Sequence, residues 1–193
     1  MIRKNKSLPK KAKAAALAEI AAEIAVCKKC KLKKIGVAVP GEGDADADIV
    51  FVGEAPGKNE AATGRPFIGR AGKLLRALIA EAGLRDADVF ITSAVKYLPE
   101  YVTPTLADIE HGRTHLFAQL DVIQPKIIVL LGNTAAVALL DHKISIAKDH
   151  GTTIQQDGRT YLVAYHPAAP LYSPKLRVEI TKDFAKLKTL LSP

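Results

Sequence analysis

Two short segments of the chain carry the side chains best suited to chemistry. Residues 52–69 read V-G-E-A-P-G-K-N-E-A-A-T-G-R-P-F-I-G, and residues 165–169 read Y-H-P-A-A. Each follows a short apolar run that predicts a β-strand, so we expect both as loops at strand ends. Backbone N–H groups of a glycine-rich loop can bind phosphate, and an imidazole readily exchanges protons near neutral pH. The two segments therefore predict one site in which a histidine works beside a bound anion.

The glycine loop differs from the two common nucleotide-binding motifs. A P-loop has four residues between its glycines and Ser or Thr after its lysine. Here three residues separate Gly53 from Gly57, and Asn59 follows Lys58. The G-x-G-x-x-G fingerprint of dinucleotide-binding proteins does not occur either. Taken alone, these glycines and the proline would indicate only a turn after a strand.

Strands and helices that must position the two loops alternate along the chain. Short β-branched runs predict strands at 49–52, 89–92, 127–131 and 161–164. Apolar spacing predicts helices at about 12–26, 70–82, 105–123, 133–140 and 175–191. This alternation implies an α/β three-layer sandwich with a central, mainly parallel four-stranded sheet flanked by helices. The dipeptide Asp157-Gly158 predicts a hairpin turn before the last core strand.

Composition narrows the classes of protein to which the chain can belong. Its 193 residues are 48% apolar, and 28 Lys and Arg against 20 Asp and Glu give a net charge of +8. We expect a flexible basic N-terminus over 1–12 and a single domain over 13–193, with polyanionic partners. No apolar run reaches the ~20 residues that a membrane span requires. The presence of only two cysteines argues against a disulfide-stapled secreted fold and favours metal or redox chemistry in the cytoplasm.

Longer stretches around the two loops resemble one known family. The glycine loop continues as T-G-R-P-F-I-G-R-A-G-K-L-L over 63–75. This whole segment resembles the family 4 uracil-DNA glycosylases, whose pattern is close to G-E-x-P-G-x-x-E followed by T-G-x-P-F-x-G-x-A-G-x-L-L. H-P-A-A at 166–169 matches the second motif of that family, and V-F-I-T-S-A-V-K and Q-P-K-I-I-V-L-L-G-N-T-A-A resemble its third and fourth strands. The resemblance implies a uracil-DNA glycosylase-like fold and a monofunctional DNA glycosylase that hydrolytically removes uracil or a related deaminated base.

The resemblance also implies a role for each motif side chain. A glycosylase turns its target nucleotide out of the base stack into a pocket, and Phe67 is the expected stacking platform. His166 is expected to act as a neutral imidazole that donates a hydrogen bond to the uracil oxygen as negative charge develops. Glu60 is expected to position water, and Glu54 to hold the loop or orient a ligand. Ala55 stands where the best-known uracil glycosylase family has an aspartate, so other groups must manage the water.

Further residues of the two motifs are expected to contact the substrate or DNA. Those expected to bind the substrate with Phe67 are Gly53, Ala55, Pro56, Gly57 and Ser93. Those expected to contact DNA are Lys58, Arg65, Pro167, Ala168 and Leu171, with Arg70, Lys73 and Lys175 as flanking cations. Leu171 is a candidate wedge that fills the gap left by the flipped base. The alternative is an exposed leucine at the edge of the core.

The chain departs from the family at the cofactor site. Family 4 members carry four cysteines that bind a four-iron, four-sulfur cluster, and Cys27 and Cys30 match the first two. Tyr97 stands at the position of the third, and Gly112 aligns with the fourth. Because two thiolates do not complete a four-ligand set, we predict no cofactor and, in particular, no such cluster.

A zinc site is an alternative for the two cysteines. His111 and His115 stand four residues apart on a predicted helix, next to the position of the missing fourth cysteine. They could join Cys27 and Cys30 as zinc ligands. An ordinary H-x-x-x-H pair on an exposed helix surface is the competing interpretation.

A second departure concerns the substrate. The family asparagine that pairs with the uracil edge falls at Ser93, and a hydroxyl cannot present an amide's donor and acceptor together. This difference predicts a roomier, less discriminating pocket. It keeps open a second hypothesis, a nucleic-acid-binding protein that retained the fold and lost efficient catalysis. In either case we expect a cytoplasmic, nucleoid-associated monomer that binds single- or double-stranded DNA and no membrane.

Overall fold

The structure, a computed structural model, describes residues 8–101 and 103–191. Its strands are β1 (Lys34–Ile35), β2 (Glu42–Gly43), β3 (Ile49–Gly53), β4 (Val89–Ser93), β5 (Leu98–Pro99), β6 (Ile127–Leu131), β7 (Thr153–Gln156) and β8 (Arg159–Ala164). Its helices are α1 (Lys10–Val26), α2 (Lys28–Lys31), α3 (Lys58–Thr63), α4 (Arg70–Glu81), α5 (Leu106–Ile123), α6 (Asn133–Leu139), α7 (Ile146–Asp149), α8 (Ala169–Tyr172) and α9 (Leu176–Leu191). Much of the predicted flexible N-terminus, residues 1–7, lies outside the described residues.

The central sheet contains the four predicted core strands in parallel. Its order is β2-β4-β3-β6-β8-β7, and β4, β3, β6 and β8 pair parallel with one another. Two short antiparallel strands, β2 and β7, extend the predicted four-stranded sheet at its edges. The strand β7 belongs to the predicted hairpin, in which Asp157 and Gly158 have φ of 51° and 73°, as a type I′ turn requires. The two residues of β2 are too few to show a periodic pattern.

Helices cover both faces of the sheet because its strands are apolar on both sides. On one face, Val50, Ile128 and Val163 pack with buried residues of α5 and α6. On the other face, Phe51 and Val129 pack with buried residues of α4 and α9. The three-layer sandwich expected from the sequence is therefore confirmed.

The first helix joins this sandwich through α5. It begins at Lys10, two residues before the predicted start, and Lys13 donates to Asp46 at 2.5 Å and to the Ile123 carbonyl at 2.9 Å. Ile24 belongs to a small third cluster beside Cys30, Tyr97 and part of α5. No helix within the described ranges is both long enough and apolar enough to span a membrane.

The strand order creates a crevice between β3 and β6. The chain leaves β3 toward α4 on one face of the sheet, whereas it leaves β6 toward α6 on the opposite face. Loops that diverge in this way open a gap beyond the carboxyl ends of the strands, where α/β proteins bind ligands. The loop that follows β3 is the glycine loop predicted above.

Candidate functional site

A cleft of about 900 Å³ lies at the carboxyl ends of the parallel strands. It is lined by the following residues that were expected at the site: Glu54, Ala55, Pro56, Gly57, Lys58, Glu60, Phe67, Ser93, His166, Ala168 and Leu171. The structure therefore brings together the glycine loop, the end of β4 and the histidine loop, which are far apart in the sequence.

Three expected residues stand apart from the lining of the cleft. Gly53 lies behind Phe67, and Pro167 is buried within the histidine loop. The Arg65 guanidinium donates to both carboxylate oxygens of Glu42, from Nε at 2.9 Å and from a terminal nitrogen at 3.0 Å. Its charge is thus directed toward Glu42. Among the flanking cations only Arg70 lines the cleft, whereas Lys73 and Lys175 are exposed outside it.

The ring of Phe67 is closely packed in the lining of the cleft. Its backbone has a φ of +51°, a left-handed conformation that side-chain-bearing residues rarely adopt. Two glycines leave the space that Phe67 needs in this conformation. A Cβ at Gly53 would lie 2.4 Å from the Phe67 ring, and one at Gly72 would lie 1.9 Å from its carbonyl oxygen. Close packing by residues that lack side chains therefore fixes the ring.

His166 faces Phe67 with a defined tautomer. Its Nδ1 accepts a hydrogen bond from the backbone N–H of Ala168 at 3.1 Å, and its ring centroid lies 5.9 Å from that of Phe67. A neutral imidazole whose Nδ1 accepts must carry its proton on Nε2. Burial lowers the pKa of His166 below its usual value, although the charge of Glu54 acts in the opposite direction. The neutral Nε2–H form is therefore the stable one near neutral pH.

Glu60 is a buried carboxylate near the start of α3. Its Oε1 accepts from the backbone N–H groups of Ile68 and Gly69, both at 2.8 Å. These bonds fasten the segment that follows Phe67 to α3. Its Oε2 lies 2.7 Å from the place a Cβ of Gly57 would take, so Gly57 leaves room for this oxygen.

Glu54 is held by a residue that sequence reasoning missed. The hydroxyl of Thr134, in the first turn of α6, donates to Glu54 Oε2 at 2.5 Å. Thr134 belongs to the segment L-L-G-N-T that resembles the family, but nothing in that pattern indicates a contact with the glycine loop. The bond links the glycine loop to the start of α6 across the crevice between β3 and β6.

Ser93 lies at the end of β4 beside the glycine loop. It is buried and pairs with Gly53 in the parallel register. Its carbonyl oxygen accepts from Lys96 Nζ at 2.7 Å, whereas its hydroxyl forms no hydrogen bond with any described residue. The hydroxyl is therefore available to a ligand in the cleft.

The rim of the cleft carries two exposed apolar side chains on α8. Leu171, the candidate wedge, is 41% exposed. Tyr172, which the sequence analysis did not single out, lines the same rim and is 84% exposed. Its position next to Leu171 is the only sequence signal that could have found it.

A second cluster of potential ligands lies away from the cleft. Cys27, Cys30, His111 and His115 place one ligand atom each within 4.8 Å of one another. The expectation that the two histidines form an ordinary surface pair is therefore wrong. They point toward the cysteines because α2 packs against α5.

Comparisons with known proteins agree with this geometry. The family model described as the uracil DNA glycosylase superfamily matches residues 40–188. The type-4 uracil-DNA glycosylase of Saccharolobus solfataricus is 45% identical over 184 residues, covering 90% of this chain and 85% of the relative. The type-4 enzyme of Archaeoglobus fulgidus is 42% identical over 184 residues, covering 90% and 92%. That of Thermotoga maritima is 40% identical over 183 residues, covering 91% and 95%. The chain therefore belongs to the uracil-DNA glycosylase superfamily, as a family 4-like member.

Proposed function

We propose that the cleft receives a uracil, or a related deaminated base, flipped out of DNA and that the protein hydrolyses its N-glycosidic bond to leave an abasic site. The observation that carries this proposal is the tautomer of His166. A neutral imidazole that carries its proton on Nε2 in the lining of the cleft suits a reaction in which the leaving base becomes an anion. Membership of the superfamily supports the same reaction.

His166 stabilises the departing base in this mechanism. As the glycosidic bond lengthens, the sugar becomes positively charged and the uracil ring becomes negative. Nε2–H donates to a uracil oxygen, while the bond from Ala168 to Nδ1 keeps the ring oriented. Donors that are held in place before the reaction need no reorganisation when the charge develops.

The two acidic residues have different roles in this reaction. Glu60 uses Oε1 to hold the backbone after Phe67. We assign its Oε2 to the water that attacks the sugar, because Glu60 lines the cleft and this oxygen has no hydrogen-bond partner among the described residues. Glu54, held by Thr134, positions the glycine loop beside His166.

The remaining residues of the cleft bind the flipped base and contact the DNA. The Phe67 ring provides a stacking surface for the flipped base, and Ser93 offers one hydrogen bond to its edge. Leu171, on the rim, is placed to fill the gap in the base stack. Lys58 is exposed beside the glycine loop, where it can approach a phosphate.

Excision assays on modified oligonucleotides test the proposal directly. Single- and double-stranded substrates bearing uracil, hypoxanthine or xanthine are incubated with protein, and abasic sites are revealed by alkaline cleavage. We expect cleavage at uracil in at least one strand context. The second hypothesis, a binding protein without efficient catalysis, is favoured by the loss of the family asparagine at Ser93. Retardation of DNA with no abasic product on any substrate would establish it.

Substituting Ser93 with asparagine is expected to raise uracil excision and selectivity. An amide presents a donor and an acceptor to the uracil edge, whereas the hydroxyl offers one hydrogen bond at a time. One added hydrogen bond contributes about 1 kcal/mol, equivalent to roughly five-fold in kcat/KM. The measurement is kcat/KM for uracil against hypoxanthine in both proteins. An unchanged ratio would show that residue 93 does not contact the base.

The pH dependence of excision is expected to reflect the lowered pKa of His166. Protonation would place a proton on Nδ1, opposite the N–H of Ala168, and would disturb the orientation of the ring. Because the active form is neutral and its pKa is lowered, activity should persist through the ordinary histidine pKa of about 6.5 and fall only at more acidic pH. Single-turnover rates measured from about pH 8 to about pH 5 test this. A decline centred at or above the ordinary value would contradict it.

We also propose a partner, an oligomeric state, a location and a cofactor state for the protein. The net charge of +8 supports DNA as the partner. A single domain over 13–193 that acts as a monomer on nucleoid DNA, without a four-iron, four-sulfur cluster, fits the features described. Light scattering on the purified protein, with and without an oligonucleotide, checks the monomer.

A further inference from the structure

We propose that Cys27, Cys30, His111 and His115 bind one zinc ion that fastens the N-terminal helices to α5. Cys27 is the N-cap residue of α2 and Cys30 lies within that helix, and the two histidines lie one turn apart on one face of α5. All four ligand atoms lie within 4.8 Å of one another. The site is separate from the cleft, so this inference goes beyond the proposed excision of bases.

The spacing of the ligand atoms fits a single ion. Around tetrahedral zinc, with Zn–S near 2.3 Å and Zn–N near 2.0–2.1 Å, neighbouring ligand atoms lie roughly 3.3–3.8 Å apart. Cys27 Sγ and His111 Nε2 are already 3.2 Å apart. An iron–sulfur cluster distributes its ligands over several irons, so its ligand atoms must stand further apart than those around one ion.

Local geometry prepares the ligands for a metal. Cys27 Sγ accepts a hydrogen bond from the Cys30 backbone N–H at 3.4 Å, which directs the first sulfur toward the turn. His115 Nε2 is buried and has no hydrogen-bond partner among the described residues. A buried ring nitrogen without a partner is costly, and coordination to a metal would satisfy it. Two thiolates and two neutral imidazoles also match the charge and ligand preference of Zn²⁺.

The residues do not fit the four-iron, four-sulfur cluster of the family. At the position of the third family cysteine, the Tyr97 hydroxyl lies 3.3 Å from the carbonyl oxygens of Ile24 and Ala25. At the position of the fourth, a Cβ on Gly112 would lie 2.1 Å from the Ala94 carbonyl oxygen. The backbone therefore leaves no room for a cysteine at 112. In its place, residues 111 and 115 supply nitrogen ligands.

A zinc ion here would have a structural role. Sites with four protein ligands have no open position for water or substrate. The ion would connect α2 with α5 and so hold the N-terminal helices against the rest of the domain. Excision of bases should not require the ion while the protein remains folded.

Metal analysis of the full-length chain tests the inference. Protein produced in zinc-supplied medium is analysed for zinc, iron and acid-labile sulfide after aerobic and after anaerobic purification. We expect about one zinc per chain and no stoichiometric iron or sulfide. The variants Cys30→Ser and His115→Ala should lose the bound zinc. The matched control His142→Ala should retain it, because His142 is exposed and pairs with Asp141.

Measurements on the unmodified protein keep the inference testable if these variants fail to fold. Removal of zinc by a strong chelator should lower Tm by roughly 5–10 °C. Co²⁺ added to the apoprotein should give the visible absorption of a tetrahedral thiolate complex. Absence of zinc together with absence of that spectrum would overturn the inference, as would stoichiometric iron with sulfide. Neither result bears on base excision, which is measured separately.

Discussion

Replacing His166 with alanine is expected to lower the single-turnover rate of uracil excision by about 100- to 1,000-fold, the usual effect of removing one oxyanion donor. The variant loses the Nε2–H that would stabilise the departing base. It keeps the Cβ that packs against Gly132, whose own Cβ would lie 3.0 Å away. The fold should therefore survive, and the loss should appear in the rate of the chemical step.

Two measurements separate this effect from damage to the protein. The Tm of His166→Ala and its retardation of a uracil-containing oligonucleotide should match those of the unmodified chain. His142→Ala, which removes an exposed histidine that does not line the cleft, should excise uracil at the normal rate. If His166→Ala kept full activity, His166 would not be the residue that stabilises the negative charge on the departing base.

Replacing Glu60 with alanine is expected to have the largest combined effect on stability and activity. The backbone N–H groups of Ile68 and Gly69 would lose their shared acceptor. Leaving two partly buried donors without partners costs about 2–4 kcal/mol of unfolding free energy. The segment that positions Phe67 would loosen at the same time. Denaturant unfolding and single-turnover excision measure the two losses.

Glutamine at position 60 separates the two functions of the carboxylate. Its amide oxygen can still accept from both N–H groups, so stability should change by less than about 1 kcal/mol. Its amide nitrogen would take the place of Oε2 and could not accept a proton from water, so the rate should fall by about 100-fold. Glu19→Gln, on the exposed side of α1, is the matched control. A fully active Glu60→Gln variant would show that Glu60 does not act on the water and only holds the backbone.

Much of the fold could be predicted because its signals are local. The four core strands are short β-branched runs; β3, β4 and β6 are buried throughout, and β8 is buried from Tyr161 onward. The turn at Asp157-Gly158 was predicted for a similar reason, since few dipeptides adopt two successive left-handed conformations. Features of this kind depend on a few adjacent residues.

Contacts between distant segments could not be predicted in the same way. Thr134 donates to Glu54 across 80 residues of sequence, and no local pattern indicates that pairing. Arg65 was expected to face DNA, yet Glu42 on the edge strand β2 accepts both of its hydrogen bonds. The convergence of His111 with Cys27 was only one of two alternatives from the sequence, because it depends on how α2 packs against α5. In each case the sequence shows both residues but does not show that folding brings them into contact.

The left-handed backbone at Phe67 has a consequence for the timing of base capture. A non-glycine residue in that conformation carries a strain of order 1–3 kcal/mol, which tight surroundings must balance. Here the strain is balanced when the chain folds, by Gly53, Gly72 and the two hydrogen bonds to Glu60. In the proposed reaction, an incoming base meets a stacking surface that folding has already ordered, so binding carries little of the entropic cost of arranging it. On double-stranded DNA, the opening of the duplex, rather than any rearrangement of the pocket, should then set the rate at which a base is captured.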